Sequence, residues 1–443
     1  MFRSIRRSVV NYFLSWDCAQ TRSAAGLKQI QSAIVSSAIS VAPNRTAWGM
    51  FIERSPEIDQ KGIYGTGSAV KILSLGAQPT QEETKLMRDG ESWLTEEWVR
   101  EDSRTSEKID QAIIYKHIYT VFGLRNEHDG EFNYSLEDCL SELWHKRVDE
   151  GWGEFHYPAE IEADRQAGES KILPSAFALI VLAQSTTYVQ KAAFVDSLLS
   201  LATKSKEHAR LFLEEDQGDK AMVAVKTALT VLALSRYVTN SENPDPKVLT
   251  ELERTGKQLE RLISNMRGVG PHSYVHYQFT APRPKTRRSR YILLLHNPII
   301  CQALIAANQV DGVSRFAERN WRYLTNSIRT YVDAIHEESG LDSGKYRSSK
   351  TNLSFTGDHL WIAELIQEFQ KLDTADVRLR SMALGELRRA SPVGAVFIVI
   401  FVITAGLGGT LTLDIGIWRE VVTGIILAVS SAAFAQAFER FLS

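Results

Sequence analysis

The densest group of chemistry-bearing side chains in this sequence is APRPKTRRSRY at 281–291, where Arg283, Lys285, Arg287, Arg288 and Arg290 fall in one loop. Guanidinium groups match phosphate oxygens two bonds at a time, so this loop points to capture of a phosphorylated ligand: a nucleotide, an isoprenoid diphosphate or a lipid headgroup. A solvated or membrane-facing basic loop accounts for the same composition. Lys345, Arg347 and Lys350 in SGKYRSSK add like charge, but the glycine spacing of a P-loop and its preceding strand are missing. A second group sets carboxylates beside aromatic rings. Glu53, Glu57 and Asp59, then Glu154, Glu160, Glu162 and Asp164, then Glu337, Glu338 and Asp342 lie near Trp48, Trp152, Phe155, His156, Tyr157 and Tyr346. A pair of carboxylates, one acid and one base or nucleophile, would cleave a glycosidic bond over such ring platforms. Capping of helices or plain solvation explains loop carboxylates equally well.

The elements that must position these residues show an internal repeat. WGMFIER opens at Trp48 and WGEFHY at Trp152, 104 residues apart, and each is followed by an Ala- and Leu-rich helix that opens near a small hydroxyl residue, Ser68 or Ser175. The segments 223–237 (VAVKTALTVLALSRY), 296–309 (HNPIICQALIAANQ) and 355–369 (FTGDHLWIAELIQEF) resemble the second half of that unit. All are apolar nearly all round, as expected of helices buried on more than one side. Between them lie helices with one polar face, beginning near Thr80, Asp245 and Ser314 as candidate caps. Strand-like alternation is confined to SYVHYQFTA at 273–281. The pattern predicts an all-α domain of helical hairpins, closed into an α/α toroid or stacked as an open solenoid.

These segments resemble the repeats of the terpenoid-cyclase and protein-prenyltransferase superfamily, in which a turn rich in Gly and aromatics precedes a Ser/Thr-Ala-Leu inner helix. The resemblance covers about residues 40–372 and implies an α/α toroid whose loops surround a central cavity, with the basic loop over its mouth. It does not carry the chemistry over: neither the Asp-x-Asp-Asp acid of one cyclase class nor the DDxxD metal motif of the other occurs here. Protein prenyltransferases hold zinc through an Asp-x-Cys pair and a distant His. The resemblance therefore directs attention to Cys301, Asp358 and His359, with His296, as zinc candidates, although the Asp-x-Cys pair is absent.

The last fifty residues have a different composition. Residues 392–412 carry no charge, and a second apolar run follows from Ile417 to Phe438 after a short turn. Each spans a hydrocarbon core of about 30 Å at the helical rise. Arg378, Arg380, Arg388 and Arg389 precede the first and Arg440 follows the second, so the positive-inside tendency places both ends, and the large N-terminal part, in the cytosol. That leaves four expected regions: an N-terminal helical segment (1–40), the toroid (41–375), a basic juxtamembrane linker (376–391) and a two-helix transmembrane hairpin (392–440). The hairpin glycines permit close helix contact and hence a homo-oligomer, without a GxxxG motif. With 51 basic and 53 acidic residues the chain has no bulk attraction for nucleic acid. Three scattered cysteines fit a reducing compartment. The expected function is a membrane-anchored sensor–effector, of a bacterial defence or stress type by its architecture, that binds a ligand in the toroid and acts on the bilayer through the hairpin. The alternatives are an enzyme on an isoprenoid or lipid-linked substrate and a tethered protein-interaction scaffold.

Overall fold

Helices account for nearly all the described structure because apolar residues recur at helical spacing along most of the chain. The computed structural model describes residues 24–49, 61–75, 78–103, 114–124, 136–154, 170–215, 219–266, 274–280, 289–335 and 356–372. In chain order the elements begin with α1 (24–36), β1 (Ile39–Ala42), β2 (Arg45–Ala47), α2 (Ile63–Ser74), α3 (Gln81–Ser103), α4 (Ile114–Gly123) and α5 (Leu136–His145). Next come α6 (Ile172–Leu182), α7 (Thr186–Val189), α8 (Ala192–Glu215), α9 (Lys220–Asn240) and α10 (Pro246–Asn265). The last are β3 (Tyr274–Thr280), β4 (Ser289–Leu295), α11 (His296–Asn308), α12 (Phe316–Arg319), α13 (Trp321–Ile335) and α14 (Thr356–Lys371). All belong to a compact unit that ends at Leu372; Asp373–Ser443 form a second unit. The transmembrane hairpin expected at 392–440 lies outside the described residues, as does the part of the N-terminal helical segment (1–40) before residue 24; α1 falls within that segment.

Six helices, α2, α4, α6, α9, α11 and α14, are buried on nearly every side. Each packs on the next, and α14 returns to pack on α2, so the six close a circuit. The polar-faced helices bridge them from outside: α3 covers α2 and α4, α5 covers α4 and α6, α8 covers α6 and α9, α10 rests on α8, α9 and α11, and α13 covers α11 and α14. Several inner helices run in the same direction. The Gln302 amide donates to the Trp361 carbonyl (2.7 Å) and the Gln309 amide to Glu368 (3.4 Å), which sets α11 and α14 parallel. Asn240 donates to the Ala183 carbonyl (2.7 Å), joining the C-terminal ends of α9 and α6. Phe177 of α6 reaches Trp361 of α14, ring centroids 5.7 Å apart, so these two rings meet across the circuit.

Both copies of the Trp-Gly unit make the same clasp. The Trp48 N–H donates to Thr66 Oγ1 (3.0 Å) and the Trp152 N–H to Ser175 Oγ (2.9 Å). The carbonyls of the two tryptophans accept from Gly62 (3.0 Å) and Lys171 (2.9 Å), the residues that begin α2 and α6. Thr66 and Ser175 each lie four residues beyond those starts. The hydroxyl equivalent to Ser175 is therefore Thr66, and the spacing that points to Ser68 is two residues out of register. The approach is close: a Cβ built on Gly65 would lie 1.9 Å from the Gly49 carbonyl oxygen, so only glycine fits there.

The caps read from sequence divide. Thr80 and Glu83 form a reciprocal capping box (2.7 and 3.1 Å), and Asp245 accepts from Lys247 N–H at 2.7 Å. Ser314 instead donates its hydroxyl to Glu253 of α10 (2.6 Å), tying the α11–α12 connection to the outer layer. One helix among the described residues, Lys220–Asn240, is long and apolar enough to cross a membrane. It is mostly buried among α6, α8, α10 and α11, and a core position of that kind accounts for its apolarity.

Candidate functional site

The basic segment lies between two strands that pair antiparallel. β3 and β4 pair in continuous register from Tyr274 with Leu295 to Thr280 with Ser289, and Leu295 runs straight into His296 of α11. The strand at β4 is hidden in the sequence because its start carries Arg290 and its end reads as the apolar approach to a helix. Arg290 stands opposite Phe279 within the ladder. Arg283, Lys285, Arg287 and Arg288 fall between the strands, outside the described residues. The hairpin is rooted on the inner circuit: β3 packs on α9 and β4 on α14.

Near the start of α9 lies Lys226, half-buried in a helix otherwise apolar at that level. Burial lowers its pKa, Glu154 opposes the shift and Lys171 adds to it. His208 of α8 is lowered by burial and then by Lys226, and its buried Nδ1 makes no hydrogen bond. Lys171 begins α6, and Lys204 donates to Ser170 next to it. Cationic groups thus gather near the starts of α6 and α9, with Glu154 as their counter-charge. Lys226 was not among the residues singled out from sequence; a lone lysine inside VAVKTALTV was its signal.

At the start of α14, Asp358 and His359 are buried, 2% and 0% exposed. Tyr119 of α4 sits close by: burial raises its phenol, and Asp358 and then Glu364 raise it further. The Ser68 and Tyr119 hydroxyls both flank Gly357, each 4.0 Å from where a Cβ would stand. These groups bring α2, α4 and α14 together, yet they do not make a zinc centre. His296, Cys301, Asp358 and His359 are all described, and among the described residues no three His, Cys, Asp or Glu side chains gather as a metal ion requires. Burial pushes the Cys301 thiol up to about 12 against a hydrogen bond with Ser327, away from the thiolate that zinc binds. The zinc set implied by the resemblance does not fit.

Trp48 and Trp152 are anchors of the core. They are 1% and 0% exposed, and their indole N–H groups donate to the carbonyls of Ile34 and Leu143, both at 2.8 Å. Neither of these two indoles leaves a ring face as a platform for a sugar. Tyr157 lies outside the described residues, as do all the candidate carboxylates except Glu154. No model of a known protein family matches this chain, and no curated protein matches it significantly.

Proposed function

We propose that this protein is a membrane-anchored ligand sensor whose helical unit is an α/α toroid and whose basic hairpin captures a phosphorylated small molecule. The observation that carries the reading is the rooting of the β3–β4 hairpin on two inner helices, α9 and α14, immediately before a third, α11. In this reading the cations between β3 and β4 report binding to the inner helices on which those strands pack. Lys226 and Lys171 extend positive charge along the starts of α9 and α6. The closed circuit α2–α4–α6–α9–α11–α14 supports the toroid as the arrangement. The uncharged runs at 392–412 and 417–438 support the anchor. In this reading the ligand changes the helical unit, and the two-helix hairpin passes that change to the bilayer.

The test is native mass spectrometry of full-length protein gently extracted from its own cells. A bound nucleotide or other phosphorylated molecule, lost in Arg287→Glu/Arg288→Glu, is the expected result. A protein that carries no such molecule, or keeps it in the double variant, overturns the hairpin as the capture element. The effector half is tested separately: deletion of residues 392–443 abolishes any effect on the membrane, and full activity without them refutes it.

A further inference from the structure

At the opposite end of the inner circuit three charged side chains from three helices converge, and none belongs to the hairpin site. Lys71 lies in the last turn of α2, Arg236 one turn from the end of α9, and Glu364 midway along α14. Glu364 is 4% exposed. Its Oε2 faces Arg236 Nη2 at 4.0 Å, beyond hydrogen-bond reach, and this buried oxygen has no hydrogen-bond partner. Burial lowers the pKa of Lys71; Glu364 is the largest influence opposing this, and Arg236 and Lys371 add to the lowering. Lys371 is itself engaged with Glu368 at 2.9 Å. The three remaining charges sum to one positive charge. One turn before Glu364 on the same helix face, Trp361 is 2% exposed and its indole N–H also has no partner. Beside it, Gln302 spends its amide nitrogen on the Trp361 carbonyl and leaves its buried Oε1 without a donor. Buried polar groups are nearly always satisfied, so so many open donors and acceptors on the inner faces of adjacent helices call for an occupant.

We propose that Lys71, Arg236 and Glu364, with Trp361 one turn deeper, form a binding site for a small hydroxylated organic anion, a phosphate ester or carboxylate with a neighbouring hydroxyl. Lys71 Nζ and the Arg236 guanidinium donate to the anionic oxygens, the ligand hydroxyl donates to Glu364 Oε2, and Trp361 Nε1–H donates to a second ligand oxygen. A plain anion uses the cations but meets the carboxylate; a plain polyol uses the carboxylate but leaves the cations unpaired. Only a molecule with both groups completes the set. The half-buried Lys71 and Arg236, the latter with 24% of its side chain exposed, form the entry from solvent.

The experiment is isothermal titration calorimetry, with thermal melting, on full-length protein in mild detergent, using ribose 5-phosphate, glycerate, inorganic phosphate and ribose. Binding of ribose 5-phosphate or glycerate, with inorganic phosphate roughly tenfold weaker and ribose inert, is the expected result. The two hydroxylated probes tell a phosphate ester from a carboxylate. Arg236→Gln, with Lys71→Met as a second variant, loses binding by about tenfold or more. Glu364→Met keeps anion binding and loses the preference for the hydroxyl. Arg287→Glu/Arg288→Glu leaves all of this unchanged, which separates the site from the hairpin. No heat and no probe-dependent rise in melting temperature with either hydroxylated anion overturns the proposal. So does wild-type binding in folded Arg236→Gln and Lys71→Met, which would leave these cations with only a structural part at the helix ends.

Discussion

Replacing the clasping hydroxyls tests the register of the repeat directly. In Ser175→Ala the fully buried Trp152 N–H loses the acceptor it holds at 2.9 Å. The Trp152 carbonyl keeps its bond from Lys171, so the cost falls on the N–H alone. An orphaned buried donor of this kind costs about 1–3 kcal/mol. Thr66→Val strips the same acceptor from Trp48, whose carbonyl keeps the Gly62 bond, and a cost in the same range is expected. Ser68→Ala behaves differently. The Ser68 hydroxyl is fully buried without a partner, so its removal is neutral or stabilising by a few tenths, ~0.5 kcal/mol at most. The assay is urea denaturation of the full-length protein in detergent, comparing midpoints at constant m. If Ser68→Ala costs as much as Thr66→Val, or Ser175→Ala is neutral, the equivalence of the two clasps is wrong.

Asp219 caps α9 by accepting from Ala221 (2.9 Å) and Met222 (3.4 Å), so Asp219→Ala lowers stability by ~1 kcal/mol in the same denaturation assay. Cys139 and Cys301 are buried with thiols pushed up by burial, Cys301 to about 12; both resist iodoacetamide at pH 8 until the protein unfolds, and rapid labelling by mass spectrometry would contradict the packing. Burial raises the Glu253 carboxyl, but bonds from the Ser314 hydroxyl and N–H and from Lys257 outweigh it and hold the group at about 2, below its ordinary 4.5. A carboxyl depressed on folding stabilises above its unfolded pKa, and this is lost as pH falls from about 4.5 to about 2; Glu253→Gln therefore flattens stability across that window. Truncation after Leu372 yields protein that stays in the aqueous fraction, because the apolar α9 is a core helix; membrane retention would show that α9 spans the bilayer.

The interior was legible where helices are apolar on every side. α6, α9, α11 and α14 fall on segments picked out for that quality, and α2 on the first copy of the repeat. α4 escaped because IYKHIYTVFG carries Lys116 and His117, so a helix that completes the circuit does not read as uniformly apolar. The Trp-Gly repeat identified two equivalent places but not their role. Aromatic rings beside carboxylates look like a sugar platform in sequence, and whether an indole faces solvent or a carbonyl nine or fourteen residues away is decided by tertiary packing. The same limit hid Lys71, Arg236 and Glu364. Each is an isolated charge among mostly apolar neighbours, a weak signal alone, and 293 positions separate the first from the last. The contact of α14 with α2 brings Lys71 to Glu364, and Arg236 of α9 comes within 4.0 Å of the same carboxylate.

That contact also governs how the chain can fold as it is made. Ile63 and Thr356, which open α2 and α14, are 293 residues apart. At ~5–20 residues per second, one flank of α2 waits roughly 15–60 s for its partner to leave the ribosome. During that time Ile72, Leu73 and their neighbours, buried in the finished protein, lack the helix that covers them. The circuit closes only once α14, the last helix of this unit, has been made. A chain that stalls before α14 therefore leaves one flank of α2 uncovered and the interior of the helical unit unsealed.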